Sequence, residues 1–600
     1  MTELIARLRQ RKLVQWALAY IAAAFALIQV VDVVASQFGW PESLRRGITL
    51  ALGVGFVVTL VIAWFHGEKG RQRVSGAELL LIALVLAIGG GVLWRFARVS
   101  STSSPDAAQQ NPGIAAPDSA AVAAASRLRV VSATPAVPIP AKSVAVLPFV
   151  NMSSDPKNDY FSDGITEEIL DALAQVPNLK VAARTSAFAF KGKAEDLRKI
   201  GEVLDVATVL EGSVQKAGDE VRITAQLIDT RSGYHLWSEK YDRKLTSIFA
   251  VEDEISKAIA GKLQVQLASA KGQSSLMQKA VDPRAHDFYL RGLPLIATRG
   301  PVLREAVADF QQAVAIDPDY AQALAEAQLL LPHYFLEQQD TAAPAGEAAA
   351  RRALAIDPDV ASAYVALGMH YRVQWKWQDA DAAFRKALKI APGDAEAADQ
   401  YGQYLLAAGR LQDASAEIER AQKLDPLSGI IGVTRANVLT ALHRFDDATV
   451  QARRVTELRP DYALGHFVAA DVAICRRDYT EAKAQLETGA RIAGENPDVY
   501  SRLVDGIADP AKRAAAREAV VTATADTHQR LTRTARIKWL MLLGDRDDAL
   551  EALQSVGHEL MFGQDNVWQP AFDPIRNDPR FKAALKKMGL PYASKDAATL

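Results

Sequence analysis

Apolar residues follow three different rhythms along this chain. The first is continuous. Runs at residues 13–35, 47–65 and 77–94 are almost unbroken in their apolarity, and each is about long enough to cross a hydrocarbon core of roughly 30 Å as a helix. Residues 100–140 then lose all periodicity in a Ser-, Ala-, Pro- and Gln-rich tract, which predicts a tether spanning roughly 35 Å. The second rhythm mixes short buried runs with amphipathic stretches over residues 141–270. It predicts a strand at 143–149 and a helix at 164–176 entered through Ser162 and Asp163, with Ile165, Ile169, Leu170 and Leu173 facing inward. A strand at 180–190, a helix at 194–206 and a strand at 208–215 follow. Gly218 and Asp219 turn the chain into 220–229, where Val221, Ile223, Ala225 and Leu227 alternate with polar residues. A last strand at 234–241 leads to a helix at 248–267 striped by Val251, Ile255, Ile259 and Leu263. This order predicts a mixed sheet with helices packed against it.

The third rhythm is that of helical hairpins. Pro318, Pro358, Pro392, Pro426, Pro460 and Pro497 are read as closing six helical segments, and the four from Pro358 to Pro460 are evenly spaced. Their spacing is the period, about 34 residues, that marks helix-turn-helix repeats. Gly368 and Ala380 are small where two helices would cross, Tyr364, Leu367, Tyr371 and Phe384 fill the space around them, and Pro392 stops the second helix. Tyr364-x2-Leu367-Gly368-x2-Tyr371, Ala380-x3-Phe384, Ala387 and the proline form the tetratricopeptide pattern, with Tyr in place of its leading Trp. Five or six copies are expected over residues 271–505, and residues 506–600 read as a degenerate hairpin near 544–553 plus a cap. Helix A of each copy is expected to line a groove for a protein or peptide. Met369, Gln403, Asn437 and Asp471, at the ninth position of helix A, together with Arg372, are the candidate groove residues.

Charge adds a topology. Residues 1–100 hold 11 Lys and Arg against 5 Asp and Glu, leaving 58 against 65 for the rest, so no extended basic stripe is present for nucleic acid. Seven basic residues flank the first run and join the second to the third, against four (Arg45, Arg46, Arg95 and Arg98) on the opposite side. The excess places the amino terminus inside and, after three crossings, the large carboxy-terminal portion in the periplasm of a Gram-negative cell. Gln29 and Asp32 share a face of the first crossing near its outer end, which favours interhelical hydrogen bonding or interface exposure over ion conduction.

Ser143-VAVLPFVNMSSDPKNDYFSDGITEEI-Leu170, Arg184-TSAFAFKG-Gly192 and Leu210-EGSVQ-Gln215 resemble the amino-terminal domain of TolB and the related FlgO-like domain. The membrane stretch with its QVVDVV and Ala63-WFHGEKG-Gly70 phrases, and the tail Pro570-AFDPIRNDPRFKAALKKMGLP-Pro591, resemble bacterial inner-membrane tetratricopeptide proteins that carry this domain. The resemblance implies a multidomain chain: membrane region (1–99), linker (100–140), α/β domain (141–270) and all-α superhelix. Some relatives place a cyclase or winged helix-turn-helix domain ahead of the membrane segments, as in CadC-like regulators. The stretch ahead of the first run, residues 1–12, is too short for either module, so neither activity is expected from the resemblance.

Chemistry is sparse. Nine histidines have no metal-ligand spacing, and a single cysteine, Cys475, can form neither an intrachain disulfide nor a thiolate zinc cluster. Cys475 reads as a small buried filler. Asp155, Asp159, Asp163, Glu167 and Glu168 read as cap and dipole partners of the first helix, and Lys191-Gly192-Lys193 as a solvated turn. No phosphate-binding or nucleophile motif stands at a strand-to-helix junction. The expectation is a non-enzymatic scaffold without cofactor or metal, the competing expectation being an envelope sensor with a cytoplasmic partner.

Overall fold

Alternation builds the centre of the sheet. The computed structural model describes residues 139–244, 248–263, 282–298, 303–320, 339–525, 533–555 and 566–590, all within the second of the chain's two units, Ile114–Leu600. The three apolar runs, Gln29 and Asp32 lie outside the described residues. Among the described residues no helix is long and apolar enough to cross a membrane.

Strand β1 (Ser143–Val146) lies between β3 (Lys180–Ala182) and β4 (Thr208–Ala217), parallel to both, and β2 (Val150–Asn151) continues along β4. β4 pairs antiparallel with β5 (Glu220–Asp229) through Gly218, whose φ of 60° the turn requires, and β5 pairs with β6 (His235–Lys244). The order is β3-β1-β4-β5-β6. β1 is buried on both faces, as a strand flanked by parallel neighbours should be. Gly212 leaves room for Phe149: a Cβ there would stand 2.8 Å from the ring and 2.3 Å from the Thr224 carbonyl.

Helix α1 (Asp159–Ala174) packs on one face of the sheet, the short α2 (Arg184–Phe188) and α3 (Leu197–Leu204) on the other, and α4 (Ile248–Lys262) beside α1. Several boundaries differ from the sequence reading, among them the end of β1 at Val146 and of β6 at Lys244, and two of them have a visible cause. The expected strand at 180–190 ends at Ala182, because the Ala183 amide donates to the Leu424 carbonyl at 2.8 Å and the chain turns into a short helix at Arg184. α1 begins at Asp159, so Ser162 and Asp163 sit buried inside it rather than at its entrance. Its approach is a 3-10 turn capped by Asp155, whose carboxylate accepts from the Lys157 amide at 2.9 Å.

Helical hairpins follow: α5 (Pro283–Thr298) with α6 (Leu303–Ile316), then α7 (Gln339–Ile356), α8 (Ala361–Val373), α9 (Trp377–Ile390), α10 (Ala395–Ala407), α11 (Leu411–Leu424), α12 (Gly429–Ala441), α13 (Phe445–Leu458), α14 (Ala463–Cys475), α15 (Tyr479–Ala493), α16 (Pro497–Ala508), α17 (Arg513–Ala525), α18 (Arg533–Leu543) and α19 (Arg546–Ser555). From α8 to α15 the A helices begin at Ala361, Ala395, Gly429 and Ala463 and the B helices at Trp377, Leu411, Phe445 and Tyr479, so both series keep the constant step of the prolines. The turn between them repeats too. Trp375, Gly409, His443 and Arg477, separated by the same step, all take left-handed φ values of 57° to 76°, and only one of the four is the glycine that tolerates this without strain. α6, α7, α9, α11 and α13 each end just before a proline, with one residue between. Pro497 corrects the sequence reading: it opens α16, and α15 is closed by Gly494 at φ 73°. The result is a mostly helical, tetratricopeptide-like superhelix behind a strand-containing domain.

The crossing inside each hairpin is tight. A Cβ on Gly368 would stand 2.8 Å from the Phe384 ring, and Gly292 in α5 stands in the same relation to Phe310 in α6, at 2.5 Å. Gly292 and Phe310 therefore repeat the crossing of Gly368 and Phe384 in the hairpin that ends before Pro318.

The α/β domain and the array share their cores. Tyr289, Leu290 and Phe310 extend the cluster under α1 and α4, while Leu427 and Leu458 join the one under α3. Ser186 Oγ donates to the Asp425 carboxylate at 2.5 Å and accepts from the Leu427 amide at 2.9 Å, and the Gly393 amide donates to the Ala174 carbonyl at 2.8 Å. Asp425 is buried, and burial pushes its carboxyl up to about 6 against the pull of its Ser186 and Thr185 hydrogen bonds.

Two outcomes are expected. In chemical denaturation, Phe384→Ala costs about 3–5 kcal/mol through the cavity it leaves, and Gly368→Ala about 1–3 kcal/mol through overpacking; an unchanged Gly368→Ala variant contradicts the tight crossing. The folded pKa of Asp425 lies above its unfolded value, so its stabilising contribution is complete below about pH 4 and lost as pH rises through about 6. Asp425→Asn removes that dependence, and its melting temperature relative to the native chain is therefore higher at pH 8 than at pH 4.

Candidate interaction site on the inner side of the array

The groove expected from the sequence would be lined by the first helices of four successive hairpins, α8, α10, α12 and α14. What meets them there is the chain itself. Residues 566–590, which include a 3-10 turn (Pro570–Ile575) and α20 (Pro579–Lys587), pack against α8, α10 and α12 and against the turn at Gly409. Val567, Trp568, Phe572, Ile575, Phe581 and Leu585 share one core with Met369, Tyr404, Leu405, Val438 and Leu442.

The polar contacts read main chain. Trp568 Nε1 donates to the Ala407 carbonyl at 3.0 Å, Gln569 Nε2 to the Asn437 carbonyl at 3.2 Å, and Trp377 Nε1 to the Met588 carbonyl at 2.7 Å. The Trp568 ring lies over Gly409, where a Cβ would come within 2.6 Å of it. Tyr404 positions the other anchor by donating its hydroxyl to the Trp377 carbonyl at 2.9 Å, and it stacks on Tyr401 at 5.8 Å between centroids. His443 faces Asp573 at 3.3 Å.

Each candidate groove residue has a defined place. Met369 and Asn437 are buried, at 4% exposure each. Arg372 is buried as well; burial lowers its guanidinium to about 9, and the Asp399 carboxylate opposes that shift. Asp399 is fully buried and accepts from Gln403 Nε2 at 2.8 Å. Asp471 pairs with Lys538 of α18 at 3.0 Å. Of the five, Met369 shares a core with residues 566–590, the Asn437 carbonyl accepts from Gln569 and Asp471 pairs with Lys538, whereas Arg372 and Gln403 turn to Asp399 within the array. Trp377, Tyr404, Lys538, Trp568 and Gln569 were not singled out from sequence. The only signal available was the aromatic, Pro-rich character of the tail, because its partners come from helices far from it along the chain.

The acidic series divides: Asp155 caps the 3-10 turn and Asp159 lies in the first turn of α1, as their spacing suggested, whereas Asp163 and Glu167 are buried in ion pairs. Asp163 is buried against Lys191 at 2.6 Å, Glu167 is buried against Arg184, and Asp159 accepts from Asn151 Nδ2 at 2.7 Å. Burial raises the Asp163 carboxyl, opposed by Lys191, and pushes Glu168 up to about 7, opposed by a hydrogen bond from Tyr289. Lys191 thus belongs to an ion pair rather than to a freely solvated turn. Burial also pushes the Cys475 thiol up to about 12, which leaves little thiolate at neutral pH. Among the described residues no three His, Cys, Asp or Glu side chains gather as a metal site.

No family model matches the chain. A protein of Rhizobium meliloti (strain 1021) named "Putative adenylate cyclase 3" is 43% identical over 216 residues, 36% of this chain and 37% of that protein. The chain therefore spans little more than a third of the curated relative it matches. Among solved structures, Pseudomonas aeruginosa PilF is similar over 34% of this chain and 92% of its own, at 20% identity and a TM-score of 0.29. YrrB, described as a TPR protein with an unusual peptide-binding site, is similar over 30% of this chain and 91% of its own, at 21% identity and a TM-score of 0.24.

Proposed function

We propose that this chain is a non-enzymatic scaffold, anchored in a bacterial inner membrane by three amino-terminal crossings, whose periplasmic array holds a protein or peptide segment on its inner side. One observation carries the reading: residues 566–590 already occupy that side, held by apolar anchors and by side chains that bond main-chain carbonyls. Such a surface accepts a segment that brings side-chain donors for the Ala407 and Asn437 carbonyls and apolar anchors for the core, while Trp377 holds the segment's own main chain. The tail competes from within the same molecule, at an effective concentration that a free peptide matches only near the millimolar range. A partner segment takes the place by exchange and supplies aromatic anchors of its own. The TolB-like identity of the α/β domain belongs to the same proposal, with that domain bracing the array through Ser186 and Asp425.

The relative named for cyclase activity favours a second reading, in which the scaffold serves signalling and passes an envelope event to a cytoplasmic partner. The shared 216 residues are its only support.

The groove reading is tested with a labelled peptide of residues 566–590 and the full chain. Trp568→Ala weakens the internal tail, so the variant binds the peptide more than tenfold tighter than the native chain does, and adding Asn437→Arg abolishes the gain; equal binding by all three chains refutes exchange. Topology is tested separately by alkaline phosphatase fused after Leu600. The fusion is active if this end is exported, and an inactive fusion at normal expression places the array in the cytoplasm.

A further inference from the structure

The two edges of the sheet are treated differently. Beyond β3 the array closes the edge, with the Leu424 carbonyl accepting from Ala183. Beyond β6 no strand follows among the described residues. β6 is ten residues long and mostly exposed, and Tyr234 and Leu236 at its start are 76% and 44% exposed. An open edge of this length offers a row of backbone donors and acceptors to another strand.

The side chains of β6 narrow down which strand that is. Two identical antiparallel strands related by a two-fold axis must place one residue opposite its own copy, because the two kinds of residue pair alternate along the ladder. With Lys240, Glu239, Asp242 or Arg243 on the axis, identical charges face each other. With Ser238 there, Lys240 faces Leu236 and Glu239 faces Trp237. With Tyr241 on the axis, Lys240 of each copy lies opposite Asp242 of the other, and Glu239 opposite Arg243. Four opposite-charge pairs form, and Tyr241 meets Tyr241. Direct cross-strand pairs of this kind are the favourable unit of an antiparallel ladder.

The alternation assigns these pairs to two faces. Trp237, Glu239, Tyr241 and Arg243 pair with Leu227, Ala225, Ile223 and Val221 on the side that α4 covers; Ser238, Lys240 and Asp242 pair with Gln226, Thr224 and Arg222 on the other. Lys240 and Asp242 now meet each other at 3.3 Å, and Asp242 meets Arg222 at 2.6 Å, with all three side chains more than half exposed. Exposed pairs of this kind exchange partners at little cost. The Asp242 carboxylate, with two oxygens, can keep Arg222 while accepting a second lysine.

We infer that the chain forms a two-fold dimer through antiparallel pairing of β6 with β6 of a second copy, in the register that sets Tyr241 on the axis and Lys240 opposite Asp242.

The test is sedimentation velocity on the full chain in detergent at micromolar concentrations, with circular dichroism melts to verify folding. The native chain sediments as a dimer. Asp242→Lys and Lys240→Asp, each of which sets like charges across the axis, weaken dimerisation by about tenfold. The double variant Lys240→Asp/Asp242→Lys restores the opposite-charge pairs and with them the dimer. A native chain that stays monomeric overturns the inference and leaves the β6 charges as protection against edge pairing. A dimer indifferent to the single variants overturns it as well, because another surface then holds the copies together. Single variants that melt early leave the double variant as the deciding measurement: a folded but monomeric charge swap refutes the register.

Discussion

A helical hairpin buries one apolar face in its own crossing and leaves the other uncovered, and this constraint organises the described structure. The crossing is fixed by small residues against rings, Gly368 on Phe384 and Gly292 on Phe310. Because that contact sets the separation of the two helices, it also sets which residues remain for the next hairpin. Each copy covers its predecessor, and a fixed period follows from the need to repeat one geometry. The left-handed turn at Trp375, Gly409, His443 and Arg477 is part of it. Three of these residues carry side chains in a backbone conformation that costs about 1 kcal/mol or more each, a cost the packed helices on either side impose.

Stacking cannot cover the ends or the inner side. The α/β domain solves the first problem by merging its cores with the array, so that α5 and α6 pack under α1 and α4 while Leu427 and Leu458 complete the cluster beneath α3. The carboxy-terminal residues solve the second. Trp568, Phe572, Phe581 and Leu585 are each worth about 1.5–3 kcal/mol when removed from water, and the array offers them a surface already shaped by A helices. The surface that these residues cover is thereby held by the molecule itself.

Buried charges mark the junctions. Asp163 with Lys191, Glu167 with Arg184, Asp399 near Arg372 and Asp471 with Lys538 all lie where one element meets another. Breaking such a pair by removing one partner costs several kcal/mol even where the intact pair adds little. The pairs therefore specify how the pieces fit more than they add stability. Asp163 and Glu167 could not be read this way from sequence, since an acidic residue near a helix start looks the same whether it caps the helix or is buried within it. Lys191 and Arg184, which make the difference, arrive from the segment after β3.

Period and alternation were enough to place most elements. Regularly spaced prolines located the ends of four B helices and Pro318 that of a fifth, because proline cannot continue the ladder, and the alternation of residues 220–229 placed β5 to the residue. Local signals failed where a distant segment supplied the missing partner. The strand at 180–190 stopped at Ala182 because Leu424, at the end of a helix deep in the array, took the next amide. Pro497 opens α16 because Gly494 had already ended α15. The sequence by itself thus determined the hairpins and the sheet. Only the tertiary structure decided that Met369 and the Asn437 carbonyl meet the chain's own tail and that, among the described residues, β6 ends the sheet. Periodicity reports which face of an element is apolar, whereas what covers that face depends on segments that only folding brings together.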